Sequence, residues 1–201
     1  AAVAAGVADH LAIGTMLGAV GWSLGGQYAL SCGALLASRV QSVAVVAGVP
    51  PLSWPGVRSA LSSTDRMLLA ATRPRMPRFA SGVLFGVVAR QAQRTAERRG
   101  DGPAKVGPLL QRTWGPADAA VLAGPAGAVI DAAVAEGTRS IDAMREEYLA
   151  WARDWGLDLA DVTVPVTVWQ GDADRWVPMA LGERLVAALP DRPTVSATIG
   201  D

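Results

Sequence analysis

Val20-Gly21-Trp22-Ser23-Leu24-Gly25-Gly26 sets a serine between two glycines where an apolar, strand-like run gives way to a helical one. A serine hydroxyl is a weak nucleophile in water. An enzyme that uses one must hold it rigidly, expose it, and aim backbone N–H groups at the oxyanion its attack creates. A sharp strand-to-helix turn meets all three needs, so the stretch reads as a nucleophile elbow centred on Ser23. Side chains at Gly21 and Gly25 are expected to collide with the neighbouring strand and helix, which accounts for glycine on both sides. Upstream, Thr15 to Val20 is short and apolar and predicts a buried parallel strand. Downstream, Gln27 to Ala37 carries Ala29, Leu30, Cys32, Leu36 and Ala37 at helical spacings. A glycine inside a helix costs about 1 kcal/mol relative to alanine, so Gly33 predicts close approach of that helix to a sheet.

The 201 residues, 51% of them hydrophobic, suffice for one well-buried domain with an insertion. With a net charge of zero, nothing in the overall electrostatics calls for nucleic acid or an anionic membrane as partner. Cys32 is the single cysteine, so no internal disulfide forms; it reads as a small hydrophobe, compatible with a cytoplasmic location. Leu11 to Ser38 holds no charged residue, yet glycines, Gln27 and Tyr28 break it into strand, turn and helix rather than a membrane span.

Ser42 to Ala47 predicts a second valine-rich strand, which with the elbow strand and helix makes a parallel crossover unit. From Ser53 to Asp161 the strand signal gives way to helical segments broken by prolines. Residues 51 to 112 hold eleven Arg or Lys against three acids, and residues 113 to 161 hold nine acids against three Arg, so the two halves are expected to pack face to face. Val162 to Trp169 restores the strand pattern, Gln170 to Arg175 reads as a turn, and Pro178 opens a helix with the stripe Leu181, Leu185, Val186 and Leu189. Thr194 to Ile199 alternates as a last strand, with Val195, Ala197 and Ile199 inward. The organisation expected is a core of residues 1–52 and 162–201 with a helical lid, residues 53–161, between them.

This order of strand, elbow serine, helix, strand, helical insertion, strand, Gly171-Asp172-Ala173-Asp174, Val177-Pro178, helix and strand resembles the α/β-hydrolase superfamily over nearly the whole chain. The resemblance implies an α/β fold with a mostly parallel sheet and a triad running serine, acid, histidine along the sequence. Asp174 matches the family's acid loop, Gly-x-x-Asp-x-x-x-Pro; Asp172 is the competitor in the same turn. By that resemblance Ser23 attacks a carbonyl, a histidine takes its proton, Asp174 orients the histidine, and the N–H of Leu24 supplies one oxyanion donor. A serine at the elbow implies acyl transfer from a small apolar ester or related substrate, and no cofactor or metal is called for.

Two departures qualify the match. The only histidine, His10, precedes the elbow, whereas the family's histidine follows the last strand; the early strands and the second oxyanion donor are missing as well. The chain is therefore expected to be a fragment, without turnover by itself. Trp22, Trp54, Trp114, Trp151 and Trp155 are candidates for an apolar acyl pocket, with core packing the alternative. The cluster from Arg73 to Arg78 reads as a solvated loop. Two rival readings stand beside an esterase: an aminopeptidase resembling proline iminopeptidases, with Glu146 and Glu147 binding a substrate amine, and a non-catalytic remnant of the fold.

Overall fold

The computed structural model describes residues 1–16, 18–99, 118, 121, 124–190 and 195–199. Four short strands, β1 (Ala19–Trp22), β2 (Val43–Val46), β3 (Val166–Gly171) and β4 (Val195–Ile199), form one sheet in the order β1-β2-β3-β4, every pair parallel. Parallel neighbours need a crossover, and helices supply it. Following α1 (Ala2–His10), α2 (Gly25–Leu35) carries the chain from β1 to β2. The α/β architecture read from the sequence is the observed one.

Alternation along the strands decides what the sheet buries. Val43 and Val45 of β2 and Val166 and Val168 of β3 turn to one face, where Ala29 and Leu30 of α2 and Leu185 and Leu189 join them in a single buried cluster with Leu159, Val162 and Val164. Each such valine or leucine contributes about 1.5–3 kcal/mol relative to an exposed one. The approach of α2 is as close as its glycines allow. A β-carbon at Gly33 would lie 2.8 Å from a methyl of Val43 and 3.0 Å from one of Val164, and one at Gly26 would lie 2.9 Å from a methyl of Val45.

The elbow strand departs from the expectation of a strand buried on both faces. It lies at Ala19–Trp22 rather than Thr15–Val20, and Met16 makes only an isolated bridge to Val40. Gly21 faces α2 and is buried, whereas Val20 and Trp22 point the other way and are 76% and 61% exposed. Trp169, in register with Trp22 across Val46, is 41% exposed on that same face. At the amino-terminal end of β1, Arg39 ties α1 in place, donating to Asp9 Oδ1 at 2.7 Å and to the Gly14 carbonyl at 3.2 Å.

Contacts divide the chain into two compact units, residues 1–61 with 154–201, and residues 62–153. The boundaries expected at 53 and 161 thus fall elsewhere, because flanking residues belong to the sheet unit: Val57 of α3 (Val57–Ala60) is fully buried there, and Leu159 and Val162 enter the sheet core. The second unit contains α4 (Ser63–Ala71), α5 (Arg78–Arg99), α6 (Pro125–Gly137) and α7 (Ile141–Ala152). Ser62 and Ser140 cap α4 and α7 by accepting the N–H of Asp65 and Ala143. The basic α5 packs on α6, and α4, α5 and α7 meet in an apolar centre of Leu68, Ala71 and Phe85 with Met144 and Tyr148. Phe85 and Trp151 each meet Tyr148 edge to face, at 5.4 and 5.6 Å. The Tyr148 hydroxyl donates to Asp65 Oδ1 at 2.7 Å, and burial, with the Asp65 charge behind it, pushes the phenol's pKa well up. The last helix of the sheet unit, α8 (Met179–Ala188), links β3 to β4.

Two glycines give opposite expectations. Gly33→Ala forces a methyl against Val43 and Val164 and is expected to lower stability by about 1–3 kcal/mol, more than helix propensity restores. Gly82, inside α5, has nothing within 4 Å of its missing β-carbon, so Gly82→Ala is expected to raise stability by up to about 1 kcal/mol. Urea denaturation midpoints of the two variants check both signs.

Candidate active site

The elbow is built by strand geometry and by one missing β-carbon. The Ser23 N–H donates to the Val46 carbonyl at 2.8 Å, which extends the β1–β2 ladder one residue past the strand. The Ser23 carbonyl accepts the Gly26 N–H at 3.0 Å, so the chain turns at once into α2. Between these two bonds Ser23 is held at φ +51°, a left-handed conformation costing a non-glycine residue about 1–2 kcal/mol. Such strain persists only where the surroundings enforce it. A β-carbon at Gly21 would lie 2.2 Å from the carbonyl oxygen of Gly25 and 2.7 Å from the nitrogen of Gly26, so no other residue fits there.

The reading of Gly25 requires correction. A β-carbon at Gly25 would have nothing within 4 Å. The glycine that lets α2 approach the sheet is Gly26, whose β-carbon would meet Val45. Gly25 takes part through its carbonyl, which fills the space a Gly21 side chain would need. Leu24 is the N-cap of α2, and N–H groups at a helix start lack the intrahelical acceptor four residues back, so those not taken up by the turn, as Gly26 is, can meet an anion.

The acid loop follows β3. Asp174 Oδ1 accepts the N–H groups of Trp176 and Val177 at 2.8 and 2.9 Å, and Oδ2 accepts Gln170 Nε2 at 3.1 Å. Asp172, in the same loop, is exposed, while Asp174 is half-buried. Of these two, among the described residues, Asp174 is the one whose carboxylate is pinned by hydrogen bonds on both oxygens. Gln170, read from the sequence as a turn residue, is instead a buried member of β3, 3% exposed. The period-two series Val166, Val168, Gln170 would have placed it inside. Because β1, β2 and β3 are parallel neighbours, Ser23 and the Asp174 loop leave the sheet at the same end. Two strand spacings, about 10 Å of backbone, separate the two exits.

His10 stands elsewhere. It is the last residue of α1, exposed, beside the Asp9 that Arg39 holds at the amino-terminal end of β1. With Ser23 just past the carboxyl end, the length of β1, about 13 Å of extended chain, lies between the two levels. Of the aromatic candidates, Trp22 is exposed beside Ser23, Trp151 is buried in the helical unit's own core, and Trp114 lies outside the described residues. Trp54 and Trp155 pack against the sheet core and line a cleft of about 510 Å³ with Asp154, Asp158 and Ala188, and the Arg184 guanidinium lies 5.5 Å from the Trp54 ring. Glu146 and Glu147 lie on α7, the former 3.7 Å from Arg145. Arg73, Arg75 and Arg78 are exposed around a turn, as expected of a solvated segment. Among the described residues no helix is long and apolar enough to cross a membrane. The inward set Val195, Ala197 and Ile199 concerns side chains outside the described ones.

No protein-family model matches the sequence, and no curated protein does. Solved structures do match. An α/β-hydrolase enzyme from a Medee basin deep-sea metagenome library superimposes with a TM-score of 0.59 at 15% identity, over 98% of this chain and 61% of the other. Bromoperoxidase from Bacillus anthracis gives 0.59 at 17% identity, over 96% and 62%, and an esterase from a Rhodococcus species gives 0.55 at 16%, over 96% and 60%. The fold is that of the α/β-hydrolases. The chain spans about three fifths of the length of these structures.

The two elbow glycines separate experimentally. Gly21→Ala is expected to cost at least about 3 kcal/mol or to prevent folding, because backbone rather than a yielding side chain stands in the way. Gly25→Ala is expected to stay within about 1 kcal/mol of wild type. Chemical denaturation of the two variants is the measurement.

Proposed function

We propose that these residues carry the nucleophile and the acid of a serine hydrolase that cleaves small, apolar carboxylic esters. The observation that carries the reading is the left-handed Ser23 in the tight turn between β1 and α2; Ala12 and Ala47 share that conformation, but Ser23 sets a hydroxyl beside the start of a helix. Ser23 Oγ attacks the acyl carbonyl while a histidine removes its proton, and the Leu24 N–H donates to the oxyanion. Collapse expels the alcohol, which takes the proton back from the histidine. Water, activated by the same histidine, then releases the acid from the acyl-serine. Asp174 accepts the histidine's Nδ1–H and stabilises the imidazolium. His10 does not serve as that base, so the histidine is one that the 201 residues do not carry. The helical unit of residues 62–153 is read as the part that selects the substrate, and the esterase among the similar structures favours ester over amide.

The test uses the protein with its natural flanking sequence. A fluorophosphonate probe is expected to label Ser23, and Ser23→Ala to abolish both labelling and ester turnover; labelling that survives Ser23→Ala overturns the reading. Asp174→Asn is expected to lower kcat by about four orders of magnitude, as the same change does in a serine protease triad, with Asp172→Asn doing far less. Residues 1–201 expressed alone are expected to turn over an aryl ester no faster than their own Ser23→Ala control, which an ester assay of the two settles.

A further inference from the structure

Gln170 has a side chain that donates both to Asp174 and to the loop segment that holds Asp174. Its Nε2 donates to Asp174 Oδ2 at 3.1 Å and to the Val177 carbonyl at 2.7 Å, from a position 3% exposed. Both partners are acceptors, which fixes the amide's orientation: turned over, it would press Oε1 against a carboxylate and a carbonyl. Oε1 is buried without a hydrogen-bond partner among the described residues. The opposing helix makes room for it. A β-carbon at Gly182 of α8 would lie 3.1 Å from Gln170 Cγ and 3.2 Å from Oε1, so the amide has one narrow seat.

We infer that Gln170 is a positioning residue that sets the plane of the Asp174 carboxylate for the triad, an inference that rests on the serine-hydrolase reading above. Oδ1 is committed to the loop N–H groups of Trp176 and Val177, and one lone pair of Oδ2 is committed to Gln170. The remaining lone pair of Oδ2 then points in a fixed direction, the one along which a histidine Nδ1–H is received. A neutral amide suits the task. An arginine or lysine there would hold the carboxylate equally well but would neutralise the charge that stabilises an imidazolium.

The experiment measures kcat and KM on a short-chain aryl ester for wild type, Gln170→Leu, Asp174→Asn and the double variant, all with natural flanking sequence. Gln170→Leu is expected to lower kcat about ten- to a hundredfold with KM within about twofold, and to cost less than about twofold once Asp174 is already Asn. An equal loss in both backgrounds means that Gln170 merely braces the fold, and overturns the inference. Gln170→Glu adds a pH readout. Its buried carboxyl repels Asp174 when ionised and donates to it when protonated, so the variant-to-wild-type kcat ratio is expected to rise at least about fivefold from pH 8 to pH 6, and a flat ratio counts against the role. If Gln170→Leu does not fold, Gly182→Ala, which crowds the amide without touching Asp174, takes its place in the cycle with the same two outcomes. A crystal structure of Gln170→Leu decides the geometry without any turnover: a carboxylate rotated about its Cβ–Cγ bond supports the inference, and an unmoved one refutes it. Turnover insensitive to Ser23→Ala would strike at the serine reading and leave that crystallographic outcome decisive for Gln170.

Discussion

Where Gly21 lacks a β-carbon, the carbonyl of Gly25 occupies the space, and this exchange lets a helix begin three residues after a strand has ended. The turn it permits is too tight for Ser23 to remain in an ordinary conformation, so the serine is driven to φ +51° by its own hydrogen-bonded neighbours. From the same turn α2 leaves directly along the sheet, where Gly26 and Gly33 bring it within methyl contact of Val45, Val43 and Val164. Packing and presentation of the hydroxyl are therefore one event. A substitution that loosened the helix from the sheet would also relax the serine.

Much of this was legible because it follows from residue types whose physics is local. Valine alternation at Val43, Val45, Val166 and Val168 marks strands that bury one face, and Gly33 inside a helix announces a close neighbour. Other features have no local signature. Gly25 and Gly26 are identical and adjacent, and only the handedness of the turn decides which of them faces Val45. Gly21 looked like the end of a strand, yet it lies within β1 and is glycine because of the helix that follows. The exposure of Val20 and Trp22 was equally hidden, since an apolar run looks the same whether both faces or one are covered.

The candidate site divides in the same way. Ser23 and Asp174 stand in short motifs, and motifs are visible in a string. Gln170 does not, because a polar residue beside Gly171-Asp172 looks like the start of a turn. Its role depends on Gly182 passing close by and on two acceptors converging from a loop, which are relations across the fold. The family resemblance favoured Asp174 over its competitor Asp172, but what sets the two apart in the fold, two loop N–H groups and one amide closing on a single carboxylate, is three-dimensional.

Trp22 and Trp169 lie in register on one face with only Val46 between them, the first mostly and the second partly open to water. Indole emission shifts to shorter wavelength and escapes aqueous quenchers when its surroundings become dry. That face of the sheet thus carries its own optical gauge. Anything that settles on it, whether more of the polypeptide, a detergent or another molecule, would be registered in the quencher-accessible part of the spectrum, while the buried Trp151 supplies a steady internal reference.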